Sequence, residues 1–281
     1  MRGTFIVMWG PRSVTRRAQR FLALALILGG LTSSSTAFAA DLGEIRKRGT
    51  LRVLAVVCPE ETYFVSQQPG RPPGFDVEIL QGFAKLHSLQ VEVLPVSGWD
   101  ALIPSLRREV GDLIAGGFTI TESRKKPIDF TVEVFPTRSV VMTRKPQPVI
   151  TNLADLKARR VGTVKGTFME EELAAAGVTN VDRSIETGGL PDALKAGRID
   201  AGVDGLEAAL SAQSKDHDLQ MGMFLDRPAS LAYGVRKEDK ALLAALNAYL
   251  SDLRRTSTWS RLVVKYFGEA SVEILKKARL Q

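Results

Sequence analysis

A single cysteine, Cys58, stands in 281 residues, so no internal disulfide can form and the fold must rest on its apolar core. Histidine is almost as scarce. His87 and His217 are the only two, and no cluster of metal-ligating residues accompanies them, so neither a metal nor any other cofactor is expected. No glycine-rich phosphate loop is present: neither GxxxxGK followed by Ser or Thr nor GxGxxG occurs. The chain has no repeats and no low-complexity tract. Residues 21–31 are apolar, but eleven residues fall short of the roughly 20 that a membrane span needs.

That short apolar run has a different meaning. It follows a basic stretch with Arg12, Arg16, Arg17 and Arg20 and precedes small residues ending in AFAA, the pattern of a secretory signal peptide over residues 1–39. Cleavage is expected after Ala39, with the mature protein in the periplasm. Arg16 and Arg17 also suit a twin-arginine leader, although Gln19 stands where that route uses a hydrophobic residue. Residues 1–39 hold five arginines and no acid. Without them Lys+Arg falls from 38 to 33 against 31 acids, and the net charge from +7 to about +2. The basic balance belongs to the leader and implies no nucleic-acid partner. The remaining 242 residues (281 less 39) suffice for one large domain or two lobes of roughly 100 residues each.

Apolar runs alternate with helix-period stretches. LRVLAVV leads to GFDVEILQGFAKLHSL, where Val77, Ile79, Leu80, Phe83 and Leu86 recur at helical spacing. VEVLPVS leads to WDALIPSLRREVGD and then LIAGG. The alternation predicts an α/β fold with largely parallel sheets. It restarts with RRVGTVKG after the proline-containing segment TRKPQPVITNLADL, which reads as a crossing between lobes. The expected division is 40–144 for the first part of lobe 1, 145–230 for lobe 2, and 231–281 for a return to lobe 1 with C-terminal helices. In that last part Leu242, Leu243, Leu246, Tyr249, Leu250 and Leu253 form one helix face. Trp259, Leu262, Val263 and Phe267 read as core, or alternatively as a membrane-binding face. ILKKARLQ reads as a frayed end.

The segment GGFTITESRKK, residues 116–126, sits where a strand opens toward a helix. Thr119 or Thr121 can cap that helix, Thr119-x-x-Glu122 fits a capping box, and free amides at such a terminus favour an anion. Arg124 adds a planar cation suited to a carboxylate, and Gly116 and Gly117 permit close approach to the backbone. GTFMEEEL offers a second corner, with Thr167-x-x-Glu170 at capping-box spacing. Each corner alone reads first as an ordinary capped helix; facing each other across a cleft they would trap a carboxylate.

GTLRVLAV, GFDVEIL, WDALIPSLRREVGDLIAGGFTITESRKKPIDFT, VGTVKGT and KAGRIDA occur in an order and spacing that resemble a periplasmic solute-binding protein of the polar amino-acid type (bacterial extracellular solute-binding protein family 3), the binding component of an ABC importer. The resemblance covers nearly all of 41–268. It implies a two-lobed clamshell with two hinge crossings, acting as a monomer that captures an amino acid or related small carboxylate and delivers it to a membrane permease. By resemblance, Arg124 holds the ligand's α-carboxylate with Thr119 and the backbone at Gly117, while Thr167 and Phe168 close on it. Trp99 matches a pocket wall position, or packs as a core tryptophan. Glu61 falls where the family stacks an aromatic residue and Cys58 where some members have an aspartate, so a cationic ligand or a displaced aromatic such as Tyr63 is open. Gly205 falls where an aspartate usually takes the α-amino group; Asp204, one place earlier, is the candidate.

An enzyme remains the alternative, because the fold is shared with periplasmic cyclohexadienyl and arogenate dehydratases, and a buried Glu61 could act as a general acid. Against it, His87, His217 and Cys58 read as packing or surface residues rather than a catalytic set. Related modules also occur fused to lytic transglycosylases and sensor kinases, for which no room is expected before Gln281.

Overall fold

The computed structural model describes residues 41–278 apart from 60, 62, 226, 227 and 269. The expected leader, 1–39, lies outside the described residues. The chain opens with α1 (Leu42–Arg48), β1 (Thr50–Ala55), α2 (Phe75–Leu86), β2 (Gln90–Pro95), α3 (Trp99–Arg107), β3 (Leu113–Ile114), α4 (Glu122–Lys125) and β4 (Asp129–Phe130). Two short strands, β5 (Phe135–Thr137) and, much later, β11 (Ala229–Leu231), mark the outward and return paths. Between them lie β6 (Ser139–Arg144), α5 (Leu153–Lys157), β7 (Val161–Val164), α6 (Phe168–Ala175), β8 (Val181–Ile185), α7 (Leu190–Lys195), β9 (Ala201–Gly205), α8 (Leu206–Lys215) and β10 (Leu219–Phe224). The chain then ends with β12 (Gly234–Val235), α9 (Lys240–Arg254), α10 (Ser257–Phe267) and α11 (Ala270–Lys277).

These strands form two five-stranded sheets, β2-β1-β3-β12-β4 and β10-β6-β9-β7-β8, each the centre of one lobe. Strands β1, β2 and β3 run parallel, as do β7, β8 and β9. The sheets are nevertheless mixed rather than largely parallel. β12 enters the first sheet antiparallel to β3 and β4, and β6 lies antiparallel to β9 and β10. The cause is topological: a chain that leaves one lobe and comes back must re-enter the sheet against the direction in which it left. β5 and β11 pair antiparallel, Phe135 opposite Leu231 and Thr137 opposite Ala229, and carry both crossings. β6 belongs to the second sheet.

Local chemistry sets the ends of the elements that matter. Asp41 Oδ1 accepts the Leu42 amide to start α1 and the Leu242 amide 3.0 Å away in α9, joining the two ends of the first lobe. Strand β1 is buried on both faces, with Leu51, Val53 and Leu54 fully enclosed, which its central position requires. Helices α9 and α10 lay Leu242, Leu246, Leu250, Leu253, Leu262, Val263 and Phe267 on the same core, so their apolar faces are spent inside the protein. No helix among the described residues is long and apolar enough to cross a membrane. Leu86, at the last turn of α2, is an exception to its helical pattern and is exposed. Of the end read as frayed, residues 279–281 lie outside the described residues; the part before them is packed, since α11 buries Ile274 and Ser271 and lies on α10, α8 and β5.

Candidate functional site

All nine residues singled out from the sequence, Glu61, Tyr63, Trp99, Gly117, Thr119, Arg124, Thr167, Phe168 and Asp204, line one pocket between the two sheets. Arg124 anchors one end. Its guanidinium is only 7% exposed, lies 4.3 Å from the Phe118 ring centroid, and donates to the Thr119 carbonyl at 2.8 Å and the Gly166 carbonyl at 2.9 Å. Those bonds leave donors of the five-donor fork for another acceptor. Burial pulls its pKa down to about 10, against the opposing pull of Glu171. A cation this buried is expensive unless an anion meets it.

Of the two threonines that could cap the helix at this corner, one does so. Thr121, not Thr119, caps α4, its Oγ1 accepting the Arg124 amide at 3.2 Å, and the Thr119-x-x-Glu122 box does not form. Thr119 instead bridges to Leu231 of β11. A helix of four residues has little dipole to offer an anion. Nor is the Gly117 amide held for a ligand. Gly116 and Gly117 donate to Asp76 Oδ2 at 2.8 and 3.1 Å, so that carboxylate fixes the corner from below. Burial pushes Asp76 up to about 6, while the two amides and the Tyr233 hydroxyl hold it down. Gly117 has φ of 77°, and a Cβ there would stand 2.8 Å from the Phe64 ring, so glycine is required.

At the second corner Thr167 is the N-cap of α6 but makes no capping bond; its hydroxyl donates to the Val164 carbonyl at 2.6 Å. Glu170 reaches the amide of Gly166 at 2.8 Å, one residue before the position a capping box would use. Further contacts cross the cleft. Ser123 Oγ donates to Glu171 Oε1 at 2.6 Å, Lys165 pairs with Asp100 at 3.2 Å, and Trp99 Nε1 donates to Thr187 Oγ1 at 3.2 Å. Trp99 is therefore a wall residue that also packs on core side chains of both lobes. Cys58 Sγ lies 3.4 Å from the Thr187 carbonyl, as a small wall residue.

The far end is acidic. Tyr63 donates to Glu61 Oε2 at 3.3 Å, and Asp204 and Glu207 complete a three-carboxylate group around its phenol. Burial, then the charge of Glu61, raises Asp204 well above its ordinary value. Burial raises Glu207 to about 7, opposed by the Thr137 hydroxyl that donates to it at 2.6 Å. Burial, reinforced by these three acids, also raises the Tyr63 phenol. Neither Asp204 nor Glu207 forms an ion pair with Arg124. His87 packs at a tilt against the Phe83 ring beside Arg46, and His217 lies near Lys145; neither lines the pocket. No group of metal-ligating residues occurs among the described residues.

Sequence reasoning missed Asp76, Thr187 and Glu207. The two acids stand in the first turns of α2 and α8, where an acid reads as a dipole complement, and Thr187 lies in a loop with no pattern of its own.

The family model for bacterial extracellular solute-binding proteins, family 3, matches residues 55–269. A histidine-binding periplasmic protein of Salmonella typhimurium is 31% identical over 261 residues, spanning 88% of this chain and 95% of that protein. Among solved structures, a mutant of ArgBP from T. maritima superposes with a TM-score of 0.73 at 29% identity, covering 81% of this chain and 99% of that one. An ancestral amino acid-binding protein described as a precursor of cyclohexadienyl dehydratase gives a TM-score of 0.70 at 27% identity over 80% of this chain and 99% of its own.

Proposed function

This chain belongs to the bacterial extracellular solute-binding proteins, family 3, and on that premise we propose that it captures an α-amino acid, or a related small carboxylate, between its lobes in the periplasm and hands it to an ABC permease. It acts as a monomer that closes about the β5–β11 ladder. One observation carries the reading: a buried cation and buried acids share a pocket without pairing with each other. Each charge alone is costly in a low-dielectric wall, and a zwitterion laid between them would satisfy both ends. In this reading Arg124 grips the carboxylate, and Thr119, Thr167 and Phe168 close around it. Trp99 and Tyr63 flank the ligand, and Glu61 and Asp204 belong to the acidic end that receives its ammonium. The Gly117 amide is engaged by Asp76, so Gly117 contributes its lack of a side chain.

The acidic end also favours a ligand with a cationic side chain, in keeping with the histidine-binding relative. A thermal-shift screen of residues 40–281 against the L-amino acids, polyamines and aromatic acids tests this. A true ligand at 100 times its Kd adds about 2.7 kcal/mol of stability. Uniform indifference to all L-amino acids would contradict the reading.

One feature favours a second reading. Glu207, raised to about 7 inside the pocket, is poised to give a proton to a leaving hydroxyl, as a dehydratase acting on a prephenate-like acid would need. Incubation with prephenate, followed by absorbance of an aromatised product, separates the two: turnover that Glu207→Gln abolishes supports the enzyme, and no turnover supports capture alone.

A further inference from the structure

Gly205 and Glu207 are coupled in space. A Cβ built on Gly205 would stand 2.6 Å from Glu207 Oε1 and 3.0 Å from its carboxyl carbon. The backbone at Gly205, φ −63° and ψ 147°, is one that any L-residue adopts, so conformation does not call for glycine here. What calls for it is the Glu207 carboxyl, which folds back from the first turn of α8 into the volume a side chain at 205 would fill. The Thr137 hydroxyl at 2.6 Å and the backbone N–H of Glu207 itself hold it in that pose. Asp204, by contrast, turns Oδ1 onto the neighbouring Gly205 amide at 2.8 Å, a local bond that ties it to the end of β9.

Building on the capture reading, we infer that Glu207, reaching over Gly205, is the receptor for the ligand's cationic group and that Asp204, lining the same pocket, supports it through its charge. Glu207 is buried, lines the same pocket as Arg124, and faces Glu61, Asp204 and Tyr63. Two acidic neighbours make the Glu207 site favourable for a cation and poor for a neutral ligand. Its carboxyl is raised toward neutrality, so an arriving cation draws it into the ionised state. Gly205 and Glu207 thus form one specificity unit: the glycine clears the space and the glutamate fills it from two residues on.

The geometry supplies its own test, because an aspartate at 205 would project into the volume Glu207 now occupies. Titration calorimetry at pH 8 with L-arginine and L-histidine compares wild type, Glu207→Gln, Asp204→Asn, Glu207→Ala and the double variant Gly205→Asp/Glu207→Ala, each checked for an unchanged melting transition. Glu207→Gln is expected to weaken binding at least tenfold and by more than Asp204→Asn does. The double variant should recover to within about fivefold of wild type, whereas Glu207→Ala alone should not. A folded double variant as weak as Glu207→Ala, or a larger loss in Asp204→Asn, overturns the assignment. Arg124→Ala separates this outcome from failure of the capture reading. If Arg124→Ala loses affinity while Glu207→Gln keeps it, only the Glu207 role is wrong. Wild type that binds neither probe nor any other L-amino acid contradicts both.

Discussion

Arg124 Nη2 lies 2.9 Å from the carbonyl oxygen of Gly166, a bond that runs from one lobe to the other. The same glycine has φ of 74°, and a Cβ on it would meet Asp100 Oδ1 at 2.6 Å and the Asp100 amide at 2.8 Å. The two lobes meet on bare backbone at this point, and Arg124 is one of the groups that join them.

Gly166→Ala should therefore oppose closure. The methyl group strains a left-handed backbone and presses on the start of α3, so ligand affinity should fall about tenfold or more while the separate lobes keep their secondary structure. Calorimetric titration with circular dichroism on the same samples checks both halves of that expectation.

Asp76 carries the corner that carries Arg124. Asp76→Ala leaves the buried amide of Gly116 and the half-buried amide of Gly117 without their acceptor, at about 1–3 kcal/mol for a fully buried unsatisfied group. Urea unfolding should show a loss of at least about 2 kcal/mol, with a further drop in ligand affinity. A loss below 0.5 kcal/mol, on the order of a surface substitution, would contradict this role.

Stability should depend on pH in an uncommon direction. Asp76 and Glu207 start from ordinary values of 3.8 and 4.5 and stand near 6 and 7 in the fold. The folded state thus binds protons first as pH falls, so ligand-free stability should rise from about pH 8 to about pH 5. Below that window it should decline, because Asp129 beside Lys240 and Asp200 beside Arg160 are held under the usual range and lose their pairing when protonated. Affinity for a cationic amino acid should move the opposite way and weaken as pH drops through 7, since Glu207 takes up a proton. Melting curves from pH 4 to 8, with and without ligand, test both signs.

The parts of the architecture that repeat a pattern were legible in the sequence. Val77, Ile79, Leu80 and Phe83 at helical spacing gave α2, and Leu242, Leu246, Leu250 and Leu253 gave α9, because burial of one face imposes that period. Strand direction was not legible: whether β12 or β6 runs with its neighbours depends on where the chain re-enters, which no local spacing records. In the pocket, Arg124 stood out because its residue type and corner chemistry agree. Thr119 and Thr121 fit the cap equally well on spacing, and only the three-dimensional course of the loop sends Thr119 to β11. Glu207 was hidden because its place in the pocket depends on the volume beside Gly205 that its carboxyl fills, which the sequence shows only as a missing aspartate.

The central claim is that Arg124 receives the ligand's carboxylate. Titration calorimetry of wild type, Arg124→Ala and Arg124→Lys with whichever α-amino acid the stability screen identifies tests it most directly. Removing one partner of a desolvated charge pair costs about 2–5 kcal/mol, so Arg124→Ala should weaken binding by at least tenfold and typically beyond a hundredfold. Arg124→Lys should fail to restore it, because an ammonium cannot reproduce a two-pronged grip. Equal affinity in all three proteins would contradict the account and leave Arg124 as a side chain that only closes the cleft.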